Sequence, residues 1–296
     1  MEEIAKRRAQ NDDFVLRISQ PLTAHTMIAM IHTIINNGCE FQVRKNDDFE
    51  GIVVESMNDA NVCIIHASLR CEVELNNVNN ASFALSLKDL SSCLKAMSNH
   101  YIMEIRRAHG SDKVTINALE QMSETKINSC NLSTLSGDFE RPHFKKLEYK
   151  YTVRIDLHIF RSIVRMARDL NAEDLSFRVY SMVDGDTVVF CLSAEGTTSH
   201  IEHYFPSTQG EGEIFSVTNA PCDIDTLSDT SKWTLDYEDA FALTYLSKFI
   251  STMERSAVTM RLSPGKPGEP NLPLLVIFQL GGDDSNVMYV LAPKVS

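Results

Sequence analysis

The sequence has few of the features that mark secreted, membrane-spanning or zinc-stabilised proteins. Its seven cysteines are an odd number and form no CxxC pair, which argues against a disulfide framework and a structural zinc site. The longest apolar stretch, Met27 to Ile35, contains His32 and is too short to span a membrane. Because the first residues carry mixed charge around no apolar core, we expect neither a signal peptide nor a membrane partner. These absences favour a reducing compartment.

Motifs of catalysis are also missing. The chain contains no GxxxxGK[ST] phosphate loop and no HExxH, GxSxG or GxGxxG motif. His200 and His203 lie three residues apart, a spacing that places them on opposite faces of a strand and does not favour a shared metal ion. We therefore predict that the protein is not an enzyme and holds no metal or cofactor.

The chain carries the same plan twice. A striped helix and a short strand, at 26–35 and 39–43, recur at 162–170 and 175–179, about 136 residues later. In each copy, alternating short strands, a second striped helix and more strands follow. A duplicated half predicts pseudo-symmetry, and modules placed side by side can continue one sheet and close a ring.

Between the helices, apolar residues recur with period two, as in Phe14, Leu16 and Ile18. Many alternating strands with two helices per half predict an α+β fold of antiparallel sheets with the helices on one side. The stretch 131–148 breaks both periodicities and is interpreted as a linker. The predicted organisation is a flexible N-terminal arm over 1–12, an N-terminal domain over 13–130, the linker over 131–148 and a C-terminal domain over 149–296.

The formal net charge is −12, which by itself disfavours a nucleic-acid partner. Helices are predicted over 22–37, 86–99, 156–170 and 239–253, and these segments contain six Lys or Arg against four Asp or Glu. In the third, Arg161, Arg165 and Arg168 recur at helical spacing away from the apolar stripe. Four stripes without acidic residues indicate a shared surface for a polyanion. The alternative is that each is only the solvated face of a surface helix.

Three strings together resemble one protein family. Met57 lies within Val53-Val-Glu-Ser-Met-Asn-Asp-Ala-Asn-Val62, Ala242-Leu-Thr-Tyr-Leu246 opens the last helix, and Tyr289-Val-Leu-Ala-Pro-Lys-Val295 closes the chain. In this order they are similar to the proliferating cell nuclear antigen family, the eukaryotic-type DNA sliding clamps, from about residue 13 to 295. The resemblance implies a homotrimeric closed ring of six similar clamp domains, with helices lining a hole for duplex DNA.

Position by position, the resemblance implies a set of DNA-facing residues that contact phosphates without reading sequence. The first helix departs from the family, because histidines stand where lysines are usual. A histidine has an ordinary pKa of about 6.5, so we expect weaker or pH-sensitive DNA contact there, unless both are simply exposed polar residues. The predicted DNA-binding residues are Lys88, Lys95, Arg161, Arg165, Arg168, Lys248, His25 and His32.

The resemblance also implies a hydrophobic pocket under the linker for client peptides of the type Gln-x-x-aliphatic-x-x-aromatic-aromatic. The segment 141–146 departs from the family, so we expect client preferences to differ. Alternatively, Met57 and Val62 are core residues of a strand. The predicted partner-peptide residues are Met57, Asn61, Val62, Ile64, Leu135, Phe139, Pro273, Tyr289, Ala292, Pro293, Lys294 and Val295.

The implied function is that of a processivity factor for a DNA polymerase and a docking platform for replication and repair proteins. An external clamp-loader ATPase would place it on DNA, in the nucleus or at a viral replication site. Two other interpretations stay open. In the first, the chain is a subunit of a heterotrimeric checkpoint clamp. In the second, it is a monomeric viral processivity factor.

Overall fold

The fold is taken from a computed structural model. It describes residues 12–76, 81–95, 97, 100–139, 141–142, 147–182, 187–208, 214–217, 232–253, 257–266, 268–281 and 285–294. The chain divides into two compact units: unit 1 is Met1–His143 with Gln279–Val287, and unit 2 is Phe144–Phe278 with Met288–Ser296. Most of the predicted arm, residues 1–11, and the predicted client contact Val295 lie outside the described residues.

Unit 1 begins with β1 (Asp12–Ile18) and helix α1 (Pro21–His32). Five strands follow, then the second helix, then three more strands. They are β2 (Gly38–Lys45), β3 (Glu50–Met57), β4 (Cys63–Arg70), β5 (Glu72–Leu75), β6 (Ala81–Ser86), α2 (Leu87–Leu94), β7 (Tyr101–Ala108), β8 (Lys113–Glu120) and β9 (Lys126–Ser133).

The strands and helices between Tyr151 and Leu291 follow the same order within the described residues. They are β10 (Tyr151–Asp156), α3 (Leu157–Asp169), β11 (Asp174–Met182), β12 (Thr187–Glu195), β13 (His200–Thr208), β14 (Ile214–Val217), β15 (Trp233–Ala242), α4 (Leu243–Ser251), β16 (Ala257–Leu262), β17 (Leu274–Gln279) and β18 (Asn286–Leu291).

Strand order shows the duplication most directly. One set of strands is ordered β5-β1-β7-β8-β9 in the first half of the chain and β14-β10-β16-β17-β18 in the second half. The other set is ordered β4-β3-β2-β6 and β13-β12-β11-β15, so each strand has a counterpart at the matching place. One pairing differs, because β1 runs antiparallel to β5 whereas β10 runs parallel to β14. The predicted α+β fold of two similar domains is confirmed.

Two helices follow the prediction from sequence closely at their N-termini. In α3, Leu157, Phe160 and Ile163 are buried, as the apolar stripe requires. Asp156 caps this helix, because its side chain accepts hydrogen bonds from the backbone N–H groups of His158 and Ile159. These N–H groups lie in the first turn, where they have no carbonyl partner within the helix. Ser86 caps α2 in the same way, by accepting from the N–H of Asp89. Helix α2 ends at Leu94 rather than at the predicted residue 99.

The other two helices are shorter than predicted, each for a local reason. Helix α1 ends at His32 rather than at 37, because Ile34 and Ile35 close a turn by donating to the Ile31 carbonyl. Both isoleucines are buried, so their apolar side chains extended the helical pattern beyond the helix. Helix α4 begins at Leu243 rather than at 239, because the preceding residues pair with β11 as strand β15.

The segment 131–148 begins as strand. β9 runs to Ser133, and the backbone then continues on unit 1 through hydrogen bonds from Thr134 to the Asp112 carbonyl and from Leu135 to the Ala84 carbonyl. The division between the units falls later, between residues 143 and 144. In the described part of the chain, no helix combines the length and the apolar character that a membrane crossing requires.

Candidate functional site

Unit 2 presents cations on a pair of packed helices. Helices α3 and α4 contact each other, and α3 buries one face into the unit while Arg165 and Arg168 are exposed. Lys248 is exposed on α4, with its Nζ 5.6 Å from the ring centroid of Tyr245. Neither Arg165 nor Arg168 has an ion-pair partner among the described residues. Both guanidinium groups are therefore free to meet an anion.

Arg161 differs from the other predicted DNA-facing residues. Its side chain is half-buried, and Nη2 donates to the backbone carbonyl of Ile250 at 2.9 Å and also to that of Met253. These carbonyls lie at the C-terminal end of α4, where helical carbonyls have no partner within the helix and the helix dipole favours a cation. Arg161 therefore ties α3 to α4, a role that its spacing in the sequence does not reveal.

Unit 1 also carries a helix pair, with its cations concentrated on the second helix. Helices α1 and α2 contact each other, and Lys88 and Lys95 are exposed on and just after α2. His25 and His32 on α1 are only half-exposed. The corresponding stripe of α1 therefore presents less charge to a phosphate than α2 does.

A groove of about 870 Å³ in unit 2 gathers three cations. Arg168, Lys248 and Lys294 line it. Glu173 and Asp174 line it as well, and both accept from Lys294 Nζ, at 3.2 and 2.7 Å. These hydrogen bonds raise the pKa of Lys294 above its ordinary value. The lysine is further held in place because its backbone N–H donates to the Ala240 carbonyl at 2.8 Å.

The predicted client residues of unit 1 lie around the β3–β4 turn. Met57 pairs with Ile64 at the end of the hairpin, and both side chains are half-exposed. Val62 is half-exposed and Asn61, with φ of 57°, is exposed. The interpretation of Met57 and Val62 as core residues therefore does not hold, because both reach the surface. Asn58, which sequence reasoning missed, shapes the turn: its Oδ1 accepts from the N–H groups of Val62 and Cys63 at 3.0 and 2.9 Å.

The predicted linker residues are held on unit 1. Leu135 is 40% exposed, and its Cδ1 lies only 2.4 Å from where a Cβ at position 38 would stand, so Gly38 makes room for it. Phe139 is half-buried. Arg141 forms a two-pronged ion pair with Glu40, at 2.7 and 2.8 Å. Hydrogen bonding from Arg141 lowers the pKa of Glu40, and neither partner was singled out from the sequence.

The remaining predicted client residues belong to unit 2, and the prediction is corrected for one of them, Tyr289. Tyr289 is fully buried, stacked on Phe249 with ring centroids 4.1 Å apart and edge-on to Phe278. It is a core residue, because its ring fills the interior and is inaccessible to a client. Pro273 is half-exposed, and its carbonyl accepts from the Tyr149 hydroxyl at 3.1 Å. Ala292 and Lys294 are exposed and Pro293 is half-exposed.

Comparison with solved structures agrees with the fold. The chain matches the proliferating cell nuclear antigen of Thermococcus kodakaraensis with a TM-score of 0.69 and 15% identity, covering 95% of this chain and all of that one. It matches that of Entamoeba histolytica with a TM-score of 0.68 and 15% identity, covering 96% of this chain and all of that one. No protein-family model matches the sequence. The chain has the fold of these clamp proteins.

Proposed function

We propose that the chain is a subunit of a DNA sliding clamp, a homotrimer that closes around duplex DNA and acts as processivity factor for a DNA polymerase. The observation that carries this proposal is the placement of exposed cations on the helix pair of each unit, in a clamp fold whose formal net charge is −12. A ring needs attraction only where it meets DNA. The exposed faces of the helices carry cations without a matching number of acidic residues, in an otherwise acidic chain, and so meet that requirement.

The DNA contacts are sequence-independent. Lys88, Lys95 and Arg165 are exposed on helices and make no ion pair among the described residues. Long basic side chains attract phosphates without fixing a register, since base edges rather than phosphates carry sequence information. Arg168 and Lys248 add to the same surface in unit 2, whereas Arg161 acts mainly between the helices. His25 and His32 contribute a weaker contact.

Ring closure uses free strand edges. Within the described residues, β9 lies at the end of its sheet in unit 1 and β13 at the end of its sheet in unit 2. β9 carries one charged residue, Lys126, and no proline, so it lacks the usual protection of an edge strand against pairing. Pairing β9 of one copy with β13 of the next is a head-to-tail contact, which repeats until the ring closes.

Clients dock on the exposed and half-exposed apolar residues of the β3–β4 turn and the linker in unit 1. Met57, Val62 and Ile64 offer an apolar surface that a short helical turn of a client can cover. Leu135 and Phe139 contribute from the linker. In unit 2, the tail residues Ala292, Pro293 and Lys294 form a second proposed set of client contacts. The chain serves as a platform rather than an enzyme, and a separate loader ATPase places it on DNA, in the nucleus or at a viral replication site.

Oligomeric mass and DNA topology test the proposal. We expect the pure protein to have the mass of three chains, and the loaded protein to stay on circular duplex DNA but run off after linearisation. A chain that remains monomeric alone but joins two different subunits supports a checkpoint clamp instead. A monomer that is lost equally from circular and linear DNA supports a monomeric processivity factor, and contradicts encirclement.

Charge reversal tests the DNA-facing surface with a matched control. We expect K95E/R165E to lower retention on circular DNA and to reduce the salt dependence of binding, because two phosphate contacts per chain are lost. K113E/R154E changes the net charge equally, at exposed residues of strands β8 and β10. Equal loss in both variants contradicts the assignment of the helices to DNA.

A further inference from the structure

Two cysteines of unit 1 meet across different elements. Cys93 lies near the end of helix α2 and Cys130 lies in β9. The two elements pack against each other, and the two thiols lie close enough for Cys130 to raise the pKa of Cys93. Neither residue is fully buried. A disulfide requires its two β-carbons to stand only about 4 Å apart, and two thiols that already interact meet that condition most readily.

We propose that Cys93 and Cys130 form a peroxide-driven, reversible disulfide that joins helix α2 to strand β9. In the first step, the Cys130 thiolate attacks hydrogen peroxide, giving a sulfenic acid at Cys130 and releasing hydroxide. In the second step, the Cys93 sulfur attacks that sulfenic acid, and the S–S bond forms as water leaves. The overall change is two thiols and one peroxide giving one disulfide and two waters. A small thiol restores the reduced pair by exchange.

The order of the two steps follows from the surroundings of Cys93. Burial, and then the neighbouring Cys130, raise the pKa of the Cys93 thiol to about 12. Cys93 therefore keeps its proton at neutral pH, and a protonated thiol is a poor nucleophile toward peroxide. Cys130 is the thiol that meets the oxidant, and Cys93 is the one that resolves the sulfenic acid.

The disulfide changes the mechanics of the unit. Within the described residues β9 pairs only with β8, and an edge strand of this kind opens more easily than a central one. Cys130 pairs with Ile116 of β8, so a bond to α2 adds a second attachment in the middle of β9. The disulfide holds the strand against the helix that carries Lys88. This last step rests on the proposed function, in which β9 is the strand that joins one copy to the next. Oxidation would then act on that contact between copies.

Cys71 supplies a matched control. It is also half-buried, and burial likewise raises the pKa of its thiol to about 12. Its charged neighbours, however, are Glu50 and Glu72 rather than another thiol. A general sensitivity of half-buried cysteines to peroxide would therefore involve Cys71 as well, whereas the proposed reaction does not.

The experiment treats the full chain with hydrogen peroxide and maps disulfides by mass spectrometry without reduction. We expect one linked peptide pair containing Cys93 and Cys130, the loss of two alkylatable thiols, and full recovery with dithiothreitol. C93S and C130S should each abolish the linked pair, and C71S should leave it unchanged. In the oxidised protein, amide hydrogen exchange over 126–133 should slow relative to the reduced protein.

Other results overturn the proposal. A disulfide between Cys130 of two copies refutes it, and so does linkage of either residue to a different cysteine. It is also refuted if all seven thiols stay intact in a sample whose oxidised methionines confirm exposure to peroxide. Unchanged exchange over 126–133 in the linked protein refutes the mechanical effect. The disulfide map is read on the chain itself, so it stands whether or not the ring and its DNA are found. The exchange comparison is made on protein in the same oligomeric state, because pairing of β9 with a second copy would itself slow exchange.

Discussion

Arg161 and Arg165 lie one helical turn apart on α3, and we expect removal of the first to lower stability and removal of the second to leave it almost unchanged. R161M keeps the aliphatic stem and deletes the guanidinium that bonds to the carbonyls of Ile250 and Met253. Hydrogen bonds from a charged donor contribute about 1.5–3 kcal/mol each at most, and a cation at a helix C-terminus adds about 0.3–1 kcal/mol. Since the Arg161 side chain is half-exposed, we expect a net loss of about 2–3 kcal/mol.

Tryptophan fluorescence isolates this effect. The chain has one tryptophan, Trp233, which packs against Tyr180 and Tyr204 within unit 2. Its emission on heating therefore follows the unit that contains both α3 and α4. A loss of 2–3 kcal/mol corresponds to a fall in Tm of roughly 5–10 °C for a unit of this size.

R165M is the matched control, because Arg165 is exposed and has no ion pair within the described residues. We expect it to leave Tm within about 1–2 °C, since exposed surface substitutions usually change stability little, and to weaken retention on DNA. Equal falls in Tm for R161M and R165M refute the assignment of Arg161 to the helix contact. So does an unchanged Tm in R161M.

Three further predictions concern the cap of α3, the linker and the tail. D156A should destabilise unit 2 by about 1 kcal/mol, because two N–H groups lose the cap of α3; D156N should restore most of this loss, and an equal loss in D156N contradicts it. The Glu40–Arg141 pair lowers the folded-state pKa of Glu40, so its contribution is complete above the unfolded pKa of about 4.3 and is lost as pH falls through the folded value. Proteolysis within 135–142 should therefore increase on acidification in the wild type, and R141M should remove this pH dependence; an unchanged dependence contradicts the pairing. E173Q/D174N should release the Lys294 side chain and weaken client-peptide affinity several-fold, as measured by fluorescence anisotropy, and unaltered affinity contradicts a positioning role.

The duplicated plan was predictable because it is written in local patterns. The stripe of α3 is continuous and its cap, Asp156, precedes it directly, so both bounds were predicted to within one residue. The ends of α1 and α4 were wrong for a physical reason. Ile34 and Ile35 are buried in a turn after α1, and the residues before Leu243 pair with β11. Apolar periodicity alone does not distinguish a residue buried in a helix from one buried next to it.

The site was less predictable, because its contacts join residues far apart in sequence. Arg161 has the same spacing as Arg165, yet its partners lie 89 and 92 residues away. Tyr289 matched a family position, but its place in the core depends on Phe249 and Phe278. Spacing on a helix predicts which residues share a face; it does not predict which neighbouring element arrives to cover them.

The two units share their element and strand order but differ in the exposed cations on their helices. The element order and strand order agree throughout the described residues, apart from the direction of β14. The cations do not agree: unit 2 exposes Arg165 and Lys248 on both of its helices, whereas unit 1 exposes lysines on and just after α2 alone. Buried apolar positions are constrained by packing in both copies, but an exposed helical position is constrained only by what it meets. On the proposed function, the unequal charge of two similar folds means that unit 2 contributes more of the attraction to DNA than unit 1.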